Sequence, residues 1–319
     1  MSYSPTPDRP PVVGTGAAPL LSGNALAVGS MILWAAGFPA AELLLQEWHP
    51  VVLISLRLLM AMALLIPLWW WVDGGRSLRD ASWSTGLRIG FFGFGLATTL
   101  LLFAQWYTDP VTVALVASGT PILATLIEVW EGQRRLTRTF VTGMMLSVFG
   151  GAVAVGQMAS PDLGIGLIMA VISGFLFSWA SNAAVRQLPE LSPIGRSTIT
   201  FAGAGVFVAI MLGGSLAFDL VPWPDSITAT HLGHLAIYAL AAMALSQILF
   251  IASVGRIGIA LTAFHVNIAP FYVMIIMVSL GGDWNLNAVL GATIVACGVL
   301  WSQRTPKARF KNAPPTDAG

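Results

Sequence analysis

Few side chains in this sequence could do chemistry, and most of them sit inside long apolar runs. The stretch Ala260–Tyr272, Ala-Leu-Thr-Ala-Phe-His-Val-Asn-Ile-Ala-Pro-Phe-Tyr, places His265, Asn267 and Pro270 within 26 uncharged residues from Ile257 to Gly282. A counterpart, Val116-Ala117-Ser118-Gly119-Thr120-Pro121, carries its proline 149 residues earlier. Proline has no N–H, so Pro270, Pro121 and Pro39 release the carbonyls of Val266, Ala117 and Ala35. In lipid such carbonyls are tolerated only inside protein or beside a watery cavity. Two matched proline breaks beside polar side chains therefore predict a cavity and a hinge, which is the chemistry of admitting a solute. Bond-making chemistry lacks its signatures: there is no convergent pair of acids, no metal-ligand spacing and no phosphate-binding loop. No catalytic residue, metal or cofactor is assigned.

The substrate-binding candidates follow from helical faces. Thr262, His265, Ala269 and Tyr272 share one face, with Asn267 nearly opposite, so a regular helix would turn only one of His265 and Asn267 to the cavity. His265 is the histidine deepest in a span, and an ionisable residue there suggests function, although a neutral histidine bonded to a neighbouring helix is the competing reading. Ser118, Pro121 and Thr125 share a face, and Asn182 ends a polar strip begun by Gly174 and Ser178. Thr98 and Gln247 are polar and stand 149 residues apart. Trp34, Phe38 and Glu42 share a face at i, i+4 and i+8, where the two rings could stack on a flat substrate. Glu42 and Arg57 fall at similar depth and are expected to pair, because either charge alone would be costly in a membrane. They join Pro39, Pro121 and Pro270 as gating or hinge candidates. Glu128 and Glu131 are expected to pair with the nearby Arg134 and Arg135.

The elements that must position these residues are membrane spans. Charged residues make up 9% of the 319 and hydrophobic residues 56%, with mean hydropathy +0.80. A soluble domain carries about 25% charge. The chain reads as an all-α integral membrane protein in contact with the lipid bilayer. Its net charge of +1 gives no case for nucleic acid, and its one cysteine excludes a disulfide framework. Apolar runs of about 20 residues predict ten spans, near 24–45, 51–72, 86–107, 110–129, 139–159, 164–185, 197–218, 232–254, 257–280 and 286–302. With the N-terminus cytoplasmic, 14 of the 15 basic residues fall on the cytoplasmic side. That predicts both termini to be cytoplasmic. Tryptophans at span ends, among them Trp48, Trp69 and Trp301, resemble an aromatic belt. Residues 1–22 read as a disordered cytoplasmic tail and 303–319 as a basic one.

The halves repeat. Trp34-Ala35 matches Trp179-Ala180, His49-Pro50 matches Ser192-Pro193, Pro121 matches Pro270, and Gly143 and Gly150 match Gly291 and Gly298, at offsets of 145, 143, 149, 148 and 148. Each half holds an odd number of spans, so residues 23–159 and 160–302 are expected to be two inverted five-helix repeats with the site between them. The glycines predict close packing of spans 5 and 10, against each other or against a second protomer of a weak homodimer; a monomer is the alternative.

These features resemble the drug/metabolite transporter superfamily and, within it, the EamA-type exporters. The resemblance is carried by the 5+5 layout, Trp34-Ala35 and its twin, Arg57 seven residues after Pro50, the mid-span prolines, Glu131 after span 4, and Gly291-Ala292 with Gly298. It covers about residues 24–302. The orders Glu131-Gly132 and Gly282-Asp283 depart from the Gly-Glu that the family often shows. More narrowly, the chain is similar to aromatic amino-acid exporters of the YddG type. The resemblance implies export of small metabolites across the bacterial inner membrane, amino acids foremost. The few basic groups argue against phosphorylated cargo. Proton exchange through His265 or Glu42 and passive facilitation both remain open, with a polytopic membrane enzyme as the reading from another class.

Overall fold

The computed structural model describes residues 17–132, 137–155 and 161–302. The termini read above as tails, apart from residues 17–22, lie outside the described residues, as do Arg134 and Arg135. The described residues form helices only: α1 (Ala17–Leu45), α2 (Pro50–Arg79), α3 (Trp83–Tyr107), α4 (Pro110–Trp130), α5 (Arg138–Val155), α6 (Pro161–Gln187), α7 (Pro193–Ala217), α8 (Ala229–Ile257), α9 (Ile259–Ser279) and α10 (Leu286–Ser302). All but α5 and α10 are long and apolar enough, among the described residues, to cross a membrane. α1 begins at Ala17, so the last part of the expected N-terminal tail is helical.

Sequence dictates the ends. His49 and Ser192 cap α2 and α7, each followed by a proline at the first helical position, where its missing N–H is no loss. Asp109 caps α4 through Val111 and Thr112 N–H, both at 2.9 Å. Gly258, at φ +82°, is the whole link between α8 and α9; a side chain there would be strained.

Packing runs mostly between the halves. α1 lies along α8 and α6 along α3; α2 lies along α7, α4 meets α9, and α5 meets α10. Individual contacts recur in pairs. Ser30 Oγ of α1 donates to the Ser246 carbonyl of α8 at 2.8 Å, and Ser173 Oγ of α6 donates to the Ala97 carbonyl of α3 at 2.7 Å. Gly37 closes on Ala242, and Gly93 on Ala180. These contacts equate Ser30 with Ser173 and Gly37 with Ala180, an offset of 143. The Trp34/Trp179 match is thereby corrected by two positions: Trp34 corresponds to Phe177, while Trp179 covers Gly93.

α5 and α10 touch each other rather than leaving their glycines for another protomer. A Cβ on Gly150 would stand 2.9 Å from the Gly291 carbonyl, and one on Gly298 2.7 Å from the Gly143 carbonyl. Backbones this close gain dispersion contacts that lipid cannot replace.

Three helices depart from α geometry. α3 is π-helical over Gly90–Gly95 and α8 over Ile237–Leu245, and α9 is 3₁₀ over Phe264–Ile268. α4 breaks at Ser118-Gly119, one residue before Thr120-Pro121 resumes the helix. α1, by contrast, runs unbroken through Pro39. Trp106, Trp130, Trp223, Trp284 and Trp301 are exposed like a belt, but Trp48 and Trp69 are fully buried and belong to the core.

Candidate functional site

The broken helices α4 and α9 and the π segment of α8 border a cavity between the halves. Residues of α1, α2, α3, α4, α6, α7, α8 and α9 line it; among the described residues α5 and α10 contribute none. Equivalent positions line it in pairs: Ser30 with Ser173, Trp34 with Phe177, Ala97 with Ser246, Thr98 with Gln247, Leu101 with Phe250, and Ala117 with Val266. A smaller extension is bounded by Trp34, Phe38, Arg57, Gln105 and Tyr238.

The backbone breaks are satisfied differently in α4 and α9. In α4 the Thr120 hydroxyl donates to the Ala117 carbonyl that Pro121 releases, and Ser118 Oγ donates to the Leu115 carbonyl at 2.5 Å. In α9 the Val266 carbonyl released by Pro270 accepts instead from the Ala269 N–H, and this shorter loop draws the turn into 3₁₀ geometry. Both breaks are thus closed inside protein, as apolar surroundings demand.

Of the residues expected to bind substrate, Trp34, Thr98 and Gln247 line the main cavity and Phe38 its extension. Trp34 meets Phe38 edge to face at 4.8 Å. Thr98 directs its hydroxyl to the Phe94 carbonyl at 2.7 Å, whereas Gln247 Nε2 is buried without a partner. That free amide donor is the readiest polar contact for a ligand.

The others lie elsewhere. Neither His265 nor Asn267 lines the cavity; the 3₁₀ turn rotates the helix so that Val266 faces it. His265 Nδ1 lies 3.2 Å from the Leu261 carbonyl, and Asn267 is buried with both side-chain polar atoms unpartnered. Tyr272 packs in the clusters around Trp34. Ser118 is consumed by the break. Asn182 donates to Glu131 at 2.9 Å, beside the Arg186–Glu131 ion pair, so a carboxylate draws it to the helix end and away from the cavity. Glu131 therefore ties α4 to α6, and Glu128 accepts from Ala260 N–H at the start of α9 at 3.3 Å.

The expected Glu42–Arg57 pair does not form. Gln105 of α3 comes between the helices, donating to Glu42 at 3.2 Å and to the Phe38 carbonyl at 2.9 Å. Arg57 turns to α8, where its Nε donates to the Tyr238 carbonyl at 3.1 Å and its guanidinium lies 3.7 Å from the Tyr238 ring centre. Arg57 lines both compartments. Sequence reasoning made it a gating candidate paired with Glu42; in the structure it borders the cavity instead of pairing. The cavity-lining Ser30, Ser173, Ser246, Phe177, Phe201 and Phe250 were not foreseen. Applying the repeat register to every polar and aromatic residue would have found several of them.

Compared with known proteins, residues 21–156 match the model of the EamA-like transporter family. The match spans the first five helices and is a similarity of that part of the chain. A solved crystal structure of another protein superposes with a TM-score of 0.67 at 17% identity, over 89% of this chain and 97% of that one, which is a likeness of fold. No curated protein matches. With eight helices long and apolar enough to cross a membrane among the described residues, the chain is a multi-pass membrane protein, and the residues that match the EamA-like model supply Trp34, Arg57, Thr98 and Ala117 to the cavity.

Proposed function

We propose that the protein is a secondary transporter of the bacterial inner membrane that exports small amphipathic metabolites by alternating access, with amino acids bearing aromatic or large apolar side chains as the leading class. In this reading α5 and α10 complete ten spans, the termini are cytoplasmic, and residues 23–159 and 160–302 are inverted repeats. The observation that carries it is the cavity between the halves, lined in equivalent pairs and flanked by two matched helix breaks. A site shared by two related halves can be exposed to either side by rocking one against the other. Its lining of aromatic rings, hydroxyls and an amide suits a solute with an apolar body and few charges. The excess of basic residues in one set of loops supports the orientation.

Counterflow in proteoliposomes loaded with unlabelled and challenged with labelled phenylalanine, leucine or alanine tests the class. Accelerated uptake of phenylalanine over alanine is expected. No counterflow of any amino acid would remove the class and leave other metabolites or drugs of the same family's range. Repeating the assay with and without a pH gradient separates proton exchange from facilitation.

A further inference from the structure

Among the described residues, Arg57 is the one charged side chain in the lining of either compartment. It lies two turns into α2 and is 5% exposed. Both of its contacts, the Tyr238 carbonyl and the Tyr238 ring face, are neutral. They satisfy part of the guanidinium but leave its charge uncompensated. A buried charge without a counterion is costly, and within a membrane such residues mark ligand paths.

The scaffold itself does not demand the charge. By the 143-residue offset of α2 and α7 Arg57 corresponds to Thr200, and by the 149-residue offset of α3 and α8 Tyr238 corresponds to Ile89. The Thr200 hydroxyl donates to the Arg196 carbonyl of its own helix at 2.7 Å, and the α3–α7 crossing closes at Gly90 against the Thr200 carbonyl. The equivalent crossing is made without a charge in one half and carries a guanidinium in the other. Arg57 therefore carries something beyond packing.

We propose that Arg57 anchors the carboxylate of the substrate, and that the cavity recognises monoanionic carboxylates with an apolar or aromatic body. The assignment rests on the reading of this cavity as the transport site and names the group it grips. A guanidinium presents a planar fork that matches two carboxylate oxygens. One cation balances one negative charge; a phosphate dianion would leave excess charge among side chains that offer no second base. Beyond Arg57, Trp34 borders both compartments, and Phe177 and Phe250 lie across the main one at 5.1 Å from each other, a surface for the apolar body. The unpartnered Gln247 Nε2 offers a second donor for an oxygen. Among the described residues no acidic group lines the cavity, so a substrate ammonium is dispensable there.

The test is binding to the purified full-length protein in detergent, read by thermal stabilisation and competition, with three probes of one shape: 3-phenylpropanoate, phenylalanine and phenethylamine. The expected order is 3-phenylpropanoate at least equal to phenylalanine, with phenethylamine weaker by about tenfold or more, the factor of a charge-assisted contact. Arg57→Gln should weaken both carboxylates by a similar factor and not weaken phenethylamine, whose ammonium the guanidinium repels. Arg57→Lys, which keeps the charge without the fork, should fall between. Phenethylamine binding the wild type as tightly as 3-phenylpropanoate would overturn the anchor even if neither variant folds, and so would unchanged carboxylate affinity in a folded Arg57→Gln. Failure of all three probes to bind the folded wild type would overturn it too. Carboxylate-selective binding without counterflow in vesicles would refute transport and leave the anchor standing; counterflow indifferent to the carboxylate would do the reverse.

Discussion

The α1–α5 half and the α6–α10 half share contacts and differ in chemistry. Ser30 and Ser173 make the same hydroxyl-to-carbonyl bond across the halves, and Gly37/Ala242 and Ala180/Gly93 make the same close approach with the glycine on opposite partners. Yet Arg57 stands opposite Thr200, Thr98 opposite Gln247, and the hydroxyl-mended break of α4 opposite the 3₁₀ turn of α9. Backbone-level contacts, which hold any repeat together, are duplicated. Several of the side chains that line the cavity are not. A two-fold scaffold with a one-sided lining can hold an asymmetric molecule in a single orientation.

The comparison can be broken at its tightest point first. α3 meets α7 backbone to backbone: a Cβ on Gly90 would lie 1.8 Å from the Thr200 carbonyl, whereas α8 meets α2 through Tyr238 and Arg57. Gly90→Val should cost about 3 kcal/mol or more and abolish monodisperse protein on size exclusion. Next, Gly37→Ala should destabilise by about 1–3 kcal/mol, because its new methyl would lie 2.5 Å from Ala242 Cβ. Adding Ala242→Gly should restore most of the melting temperature, since the Ala180/Gly93 contact already has that arrangement.

A smaller effect sharpens the chemical difference. Gln247→Ala should raise the substrate KM by about tenfold, the value of one hydrogen bond in a closed site. Thr98→Ala should change it little, since that hydroxyl already serves the Phe94 carbonyl. His265→Ala should leave counterflow intact, because His265 lies off the cavity.

The smallest effect concerns the two caps. His49 accepts the Val51 N–H at 3.3 Å, and burial lowers its pKa from the ordinary 6.5. The folded protein thus prefers the neutral ring and the unfolded chain takes the proton first, so stability falls as pH drops through and below about 6.5. His49→Ser, copying Ser192, should flatten that dependence in thermal melts between pH 7 and pH 5.

Helix positions were legible because lipid permits little else: apolar runs of bilayer length, prolines at N-termini and basic punctuation leave few alternatives. The two breaks were legible from Pro121 and Pro270, and the α5–α10 seam from its glycines. The π segments were not, since the widened turns arise from tertiary packing of α3 and α8 and have no fixed residue code. Missing them meant missing Tyr238 as the partner of Arg57. The 3₁₀ turn likewise exchanged Val266 for His265 at the cavity, because periodicity at 3.6 residues per turn fails where the turn tightens. Asn182 was misplaced for a simpler reason: the carboxylate of Glu131, distant in sequence, claims it.

Alternating access is tested most directly at the paired breaks. Ala117 and Val266 both face the cavity, and the exposed native Cys297 can be replaced by serine. With a cysteine at 117 or at 266 in that background, a membrane-impermeant maleimide is applied from one side or the other of oriented vesicles. The account predicts labelling of each position from both sides, slowed by bound substrate. Labelling of both positions from a single side only, unaffected by substrate, would contradict it.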